Sequence, residues 1–134
     1  MAERHRTGVL DTCAYVDLDV LEPERLPVLP VLTAISLAEL QQGVAVAKDP
    51  LVRAARMEKW GAAVADFEPL PFDADAAARY GTLVALVIAA RRDPRPRRLD
   101  LMIASIASVR DLPLYTRNAD DFKGLESALT VVGL

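Results

Sequence analysis

Residues 7–11 read Thr-Gly-Val-Leu-Asp, a run of small, β-branched and apolar side chains that has no helical spacing and stops on an acid. Apolar residues at consecutive positions predict a short strand over Thr7–Leu10, buried on both faces as strands of parallel sheets are. Working outward, Val31–Ile35, Leu114–Thr116 and Thr130–Val132 carry the same signal, and Phe67–Pro71 is a short strand or sheet edge. The stretch after Asp11 is irregular or helical, and prolines punctuate a loop over 23–30.

Helical spacing fills the gaps. Leu37, Leu40 and Val44 share one face over Ser36–Val46. Asp49-Pro50 opens a helix running to about Asp66, and Asp73 caps another from Ala74 to about Arg92. The arginine-rich segment 91–98 is a loop, and a further helix runs from Asp100 to about Arg110. Strands separated by one or two helices imply a mostly parallel sheet covered on both faces, because parallel neighbours need crossover connections.

Composition bounds the rest. A chain of 134 residues, 52% hydrophobic and 26% charged, is read as one soluble domain over residues 1–134. Aromatic residues make up 5%, so nucleic-acid contact would lean on charge and metal more than on stacking. The net charge of −3 argues against a generally basic nucleic-acid binder. Cys13 is the only cysteine, so no disulfide forms within the chain, and with His5 as the only histidine no ordinary zinc site is available. The amino terminus lacks the apolar core of a secretory leader, and the apolar stretch 83–90 is far too short to span a bilayer, so a cytoplasmic location is expected.

Four acids share a topological address. Asp11 ends the first strand, Glu39 lies in the first turn of the next helix, Asp100 opens the helix after the arginine loop, and Asp121 follows the Leu-Tyr-Thr strand. In an open parallel sheet, strand ends and the helix starts that follow them lie on one edge, where ligands bind. Each acid also has an ordinary explanation: Ser36-x-x-Glu39 matches a capping box, Asp100 and Asp121 suit helix starts, and Asp11 suits a turn. Convergence would be costly, since two carboxylates about 4 Å apart repel by roughly 4 kcal/mol at an effective dielectric of about 20. A raised pKa, neighbouring arginines or a hard divalent cation, Mg²⁺ or Mn²⁺, would compensate. The chain has no second histidine for a histidine-pair ribonuclease, no evident base for Cys13, no phosphate-binding glycine loop and no dinucleotide fingerprint.

Taken in series, Leu10-Asp-Thr12, the 36–43 motif S-L-A-E-L-x-x-G, the 97–104 motif R-x-x-D-x-x-I-A and the 114–122 motif L-Y-T-R-N-x-x-D-F resemble the PIN-domain family, and most of all VapC-type toxins of bacterial toxin–antitoxin pairs. The likeness spans about 8–132. It implies an α/β chain, a PIN-like three-layer α/β/α sandwich with a mostly parallel central sheet, and a Mg²⁺- or Mn²⁺-dependent endoribonuclease. It further implies a catalytic set of Asp11, Glu39, Asp100 and Asp121, with Asp11, Asp100 and Asp121 as metal ligands and Thr12 and Asn118 as supporting polar residues. RNA as substrate, a cognate antitoxin and a homodimer are the implied partners. The sequence departs from the family pattern at Cys13, where a small hydroxyl residue is common, and Asp120 adjoins Asp121, with spacing from Asn118 favouring Asp121.

Arg91, Arg92, Arg95, Arg97 and Arg98, joined by Arg117, are candidate contacts for an RNA backbone, or equally a solvated loop or counter-charges for the acids. Trp60 is expected in the core or an interface, and Leu51, Val52, Ala55 and Met57 belong either to the core or to a groove for an antitoxin helix. The alternative from another class is a catalytically weak PIN-like binding module acting through an antitoxin and operator complex.

Overall fold

A computed structural model describes residues 4–134, so Met1–Glu3 of the leader reading lie outside the described residues. The strands are β1 (Thr7–Leu10), β2 (Leu29–Val31), β3 (Leu114–Thr116) and β4 (Val131–Gly133). The helices are α1 (Thr12–Val16), α2 (Ala34–Val46), α3 (Pro50–Asp66), α4 (Ala74–Ala89) and α5 (Arg98–Val109). The four strands form an all-parallel sheet in the order β2-β1-β3-β4, with Val9 level with both Val31 and Leu114 and Tyr115 level with Val132.

Strand alternation creates the layers. Val9 and Leu114 project into a core built with Leu83, Val87, Leu101, Ile103 and Leu125, which brings α4 and α5 onto one face. Leu10 and Tyr115 project the other way, into a second core with Ala14, Tyr15, Leu40 and Ala63. The apolar run Val9-Leu10 is therefore fully buried on both sides, as a central parallel strand requires. Trp60 packs partly buried against the second core. Gly8 has a positional reason: a Cβ there would lie 2.5 Å from the Tyr115 ring. Among the described residues no helix is long and apolar enough to cross a membrane.

Several boundaries differ from the sequence reading, each for a local physical cause. The second strand is Leu29–Val31 and not Val31–Ile35. Pro30 is tolerated because β2 is an edge strand of the sheet, where one missing donor costs little. Thr33, not Ser36, caps α2, its hydroxyl accepting from the Ser36 N–H at 3.2 Å. Glu39 consequently sits in the second turn of α2, and its capping-box role is withdrawn. The 67–71 segment forms only a single bridge, Leu70 to Thr33.

The long helix ends at Ala89, not about Arg92, because Arg91 takes the left-handed conformation (φ 61°) and its N–H and that of Arg92 close on Ile88 and Val87 carbonyls. No glycine advertises that stop. The next helix begins at Arg98, so Asp100 is its third residue and not its opening one; Arg97 holds the cap position without a side-chain cap bond. The last strand is displaced by one residue, to Val131–Gly133.

Candidate active site

Asp11 leaves β1 at the carboxyl edge of the sheet, beside the end of β3, where its N–H donates to the Tyr115 carbonyl at 3.1 Å. Its Oδ1 accepts from the Ala14 N–H at 2.8 Å and so caps α1. The turn-forming explanation of Asp11 is correct and incomplete, because the residue is only 4% exposed and its carboxyl group also accepts from the Thr116 hydroxyl. Burial pushes the Asp11 carboxyl above its ordinary range, the Thr116 and Ala14 hydrogen bonds oppose that, and the charges of Asp121 and Asp17 add to it.

Asp100 faces the same edge from the first turn of α5. Burial, then the negative charges of Glu39 and Asp11, push its carboxyl from 3.8 up to about 6, with Asp121 adding and Arg97 subtracting. Three acids from separate parts of the chain, Asp11, Glu39 and Asp121, are thus within electrostatic reach of Asp100. Neither a helix cap nor a macrodipole accounts for this, since both would hold Asp100 ionised and lower its pKa.

Two hydroxyls prepare Glu39. Thr12 Oγ1 lies 2.7 Å from Glu39 Oε1 and 3.0 Å from Ser36 Oγ. A carboxylate only accepts, so the single Thr12 proton goes to Glu39, and the Thr12 oxygen accepts from the fully buried Ser36. Asp121 is held by Arg97 at 2.9 Å. Its neighbour Asp120 turns outward to Lys123 with its side chain 87% exposed, so the geometry selects Asp121 over Asp120. Asn118 is exposed and meets the site through its main chain, donating its N–H to Thr116 Oγ1 at 3.0 Å.

Among the described residues no three His, Cys, Asp or Glu side chains stand gathered tightly enough to hold one metal ion together, since Glu39 is drawn to Thr12 and Asp121 to Arg97. The donor chemistry nevertheless fits a hard divalent cation. Every acidic donor is a carboxylate oxygen, and Arg97 moderates the charge around Asp100. Cys13 lies on the exposed rim, where burial and the charges of Asp11, Asp100, Glu39 and Asp17 push its thiol up and keep it protonated, unsuited to nucleophilic attack. His5 packs edge-on against Tyr115 before the start of β1, at the end opposite Asp11.

The arginines are less free than the sequence suggests. Arg92 donates to the Asp120 carbonyl at 2.7 Å, Arg95 pairs with Asp93 at 3.1 Å, Arg97 with Asp121, and Arg117 with Asp17 at 2.9 Å. Arg91 and Arg98 are exposed.

Sequence reasoning missed Thr116 and the link from Ser36 to Thr12; it named Arg97 among possible counter-charges for the acids, and Asp121 is the acid Arg97 holds. A signal for Thr116 existed: it ends the strand whose register sets Tyr115 against Leu10, one residue before Asp11. Replacing Thr116 with valine removes a bond to a carboxylate and raises the Asp11 pKa further. We expect a loss of about 1–2 kcal/mol in urea denaturation near neutral pH, where Asp11 is ionised, and a smaller loss in acid. Thr116→Ser should restore the stability; an unchanged midpoint for Thr116→Val would show that the hydroxyl does not support Asp11.

No family model matches the sequence. Ribonuclease VapC5 from Mycobacterium tuberculosis is 36% identical over 134 residues, covering 98% of this chain and 96% of that protein. The crystal structure of VapBC-5 from the same organism, a member of the VapBC family of toxin–antitoxin systems, matches with a TM-score of 0.84 and 34% identity over 96% of this chain and 99% of the other. DNA-bound VapBC from Salmonella typhimurium shares the fold, with a TM-score of 0.74 at 23% identity over 96% of this chain and 97% of the other.

Proposed function

This chain belongs to the VapC family of PIN-domain ribonucleases, the toxins of toxin–antitoxin pairs, and from that premise we propose that Asp11, Glu39, Asp100 and Asp121 form a divalent-cation site that hydrolyses RNA phosphodiester bonds. The observation that carries the reading is Asp100, whose carboxyl is pushed up to about 6 by burial and by Glu39 and Asp11. Like charges held together at a sheet edge are destabilising unless a cation or proton joins them.

Asp11 and Asp100 would hold Mg²⁺ or Mn²⁺, with Asp121 completing the set or helping to hold a second ion. A bound divalent ion supplies a more acidic water and neutralises charge developing on the phosphoryl oxygens. Glu39, aimed by the Ser36–Thr12 hydroxyl chain, orients the attacking water and accepts its proton. Arg97 pairs with Asp121 and holds it facing the site. The products would carry 5′-phosphate and 3′-hydroxyl ends.

Phosphates flanking the cut would meet Arg91 and Arg98 directly. They would draw Arg95 and Arg117 out of ion pairs that lie at the surface, where such a pair is worth about 0–1 kcal/mol and is readily exchanged, while Arg97 stays with Asp121. A cognate antitoxin is the protein partner. The outward face of α3 offers it an apolar surface, with Leu51 82%, Met57 45% and Val52 40% exposed. We further propose a homodimer acting in the cytoplasm.

Purified protein incubated with a total RNA pool should yield discrete products with Mg²⁺ or Mn²⁺, and none with EDTA. Folded protein that cuts nothing under either metal would transfer the argument to the binding-module reading; cleavage that survives EDTA would remove the cation site.

A further inference from the structure

A cleft of about 430 Å³ runs between α2 and α3 and opens onto the acids, sharing Thr12 and Glu39 with them. It is lined further by Val16, Leu40, Gly43 and Ala55, and by the two cations Arg56 and Lys59. Both cations are fixed in place: Arg56 donates to the Gly43 carbonyl at 2.7 Å, and the Lys59 ammonium lies 4.7 Å from the centre of the Tyr15 ring. We infer that this cleft is a subsite for one unpaired nucleobase of the RNA substrate, with Arg56 and Lys59 receiving the neighbouring phosphate. The inference rests on the ribonuclease reading above and names part of its substrate.

Three features favour a nucleotide. The opening is of ligand size and mostly apolar, as pockets for flat heterocycles are. The lining carries one carboxylate, Glu39, and two cations, Arg56 and Lys59, so a polyanion repelled by Glu39 gains partners within the same cleft. Gly43 leaves the floor clear: it sits inside α2, and a Cβ there would find only the Arg56 stem, at 3.8 Å. Glycine inside a helix is destabilising relative to alanine, and neither an unusual backbone angle nor a close neighbour requires it here. What its missing side chain provides is space. A base held between apolar walls must leave its stack, so single-stranded or loop RNA is the substrate class that fits.

The test fills the cleft from Gly43, which is outside the catalytic set. A randomised single-stranded RNA pool is digested by wild type, Gly43→Ala and Gly43→Leu, and the new ends are sequenced. Wild type should show a base preference at one position beside the cut; Gly43→Leu should erase it and slow cutting at favoured sites about tenfold, with Gly43→Ala between them. In parallel, fluorescent homopolymers of A, C, G and U and an abasic strand of equal length are titrated by anisotropy. Wild type should bind at least one homopolymer about tenfold more tightly than the abasic strand, and Gly43→Leu should bind them alike.

A base preference unchanged in folded Gly43→Leu, or equal wild-type binding to abasic and base-bearing strands, overturns the subsite. Wild type that cuts no RNA yet discriminates the abasic strand through Gly43 defeats the nuclease reading and upholds the subsite. If Gly43→Leu loses only antitoxin binding and handles every RNA as wild type does, the cleft belongs to the antitoxin and the subsite is overturned.

Discussion

Asp100→Asn is expected to lower RNA cleavage by roughly 10²–10⁴-fold while the protein stays folded. The carboxyl group is partly buried and lies within reach of Glu39, Asp11 and Asp121, so an amide of the same shape removes the charge that would engage a cation and leaves packing intact. Asp120→Asn is the internal control. Its side chain is 87% exposed and paired with Lys123, so cleavage should change by less than about twofold. Asp121→Asn should fall with Asp100→Asn, because Arg97 holds Asp121 toward the acids. Cleavage by Asp100→Asn at the wild-type rate, measured on the same RNA with Mn²⁺, would return Asp100 to a purely structural role.

The second large effect is on stability. The Asp100 carboxyl titrates at about 6 in the folded chain against an ordinary 3.8, so folding favours its protonated form. The stability this contributes is fully present below about pH 4 and is lost as pH rises through about 6. Discounted for partial solvent exposure, the loss is about 1–2 kcal/mol. Asp11, also shifted upward, adds to it with the same sign. Protein in EDTA should therefore unfold at lower urea at about pH 7.5 than at about pH 5, and Asp100→Asn should flatten much of that difference.

Mn²⁺ or Mg²⁺ should restore the midpoint at the higher pH and do little at the lower, because protons and cations compete for the same oxygens. Two observations would contradict this: a wild-type midpoint that does not fall between those pH values, or a metal effect of equal size at both. Either would mean that the acids are already compensated within the chain.

The strands show how far local pattern reaches. Val9-Leu10 and Leu114-Tyr115 are continuous apolar runs whose alternate members serve different cores, and burial on both faces leaves just such a trace in the sequence. Where a boundary moved, a tertiary condition moved it. Pro30 extends a strand because that strand lies at an edge, and α4 stops at a left-handed Arg91 where a glycine would have announced the stop. Thr33 caps α2 in preference to Ser36, which carried the stronger cap-like motif. That single exchange moves Glu39 out of its capping box and into the hydrogen bond with Thr12.

The identity of the four acids, their order and their attachment to strand ends and early helix turns were determined by the sequence, because a parallel sheet collects those positions on one edge whatever the details of packing. Tertiary structure alone decided which groups press on which. It set Arg97 against Asp121 in preference to Asp120, brought the Thr116 hydroxyl to Asp11, and tied several candidate phosphate contacts at the surface to Asp17, Asp93 and the Asp120 carbonyl. It also opened the cleft over Gly43 beside Glu39. Hydrogen bonds and ion pairs depend on distances of a few tenths of an ångström and on burial, and these arise only when helices far apart in the chain are packed on the sheet.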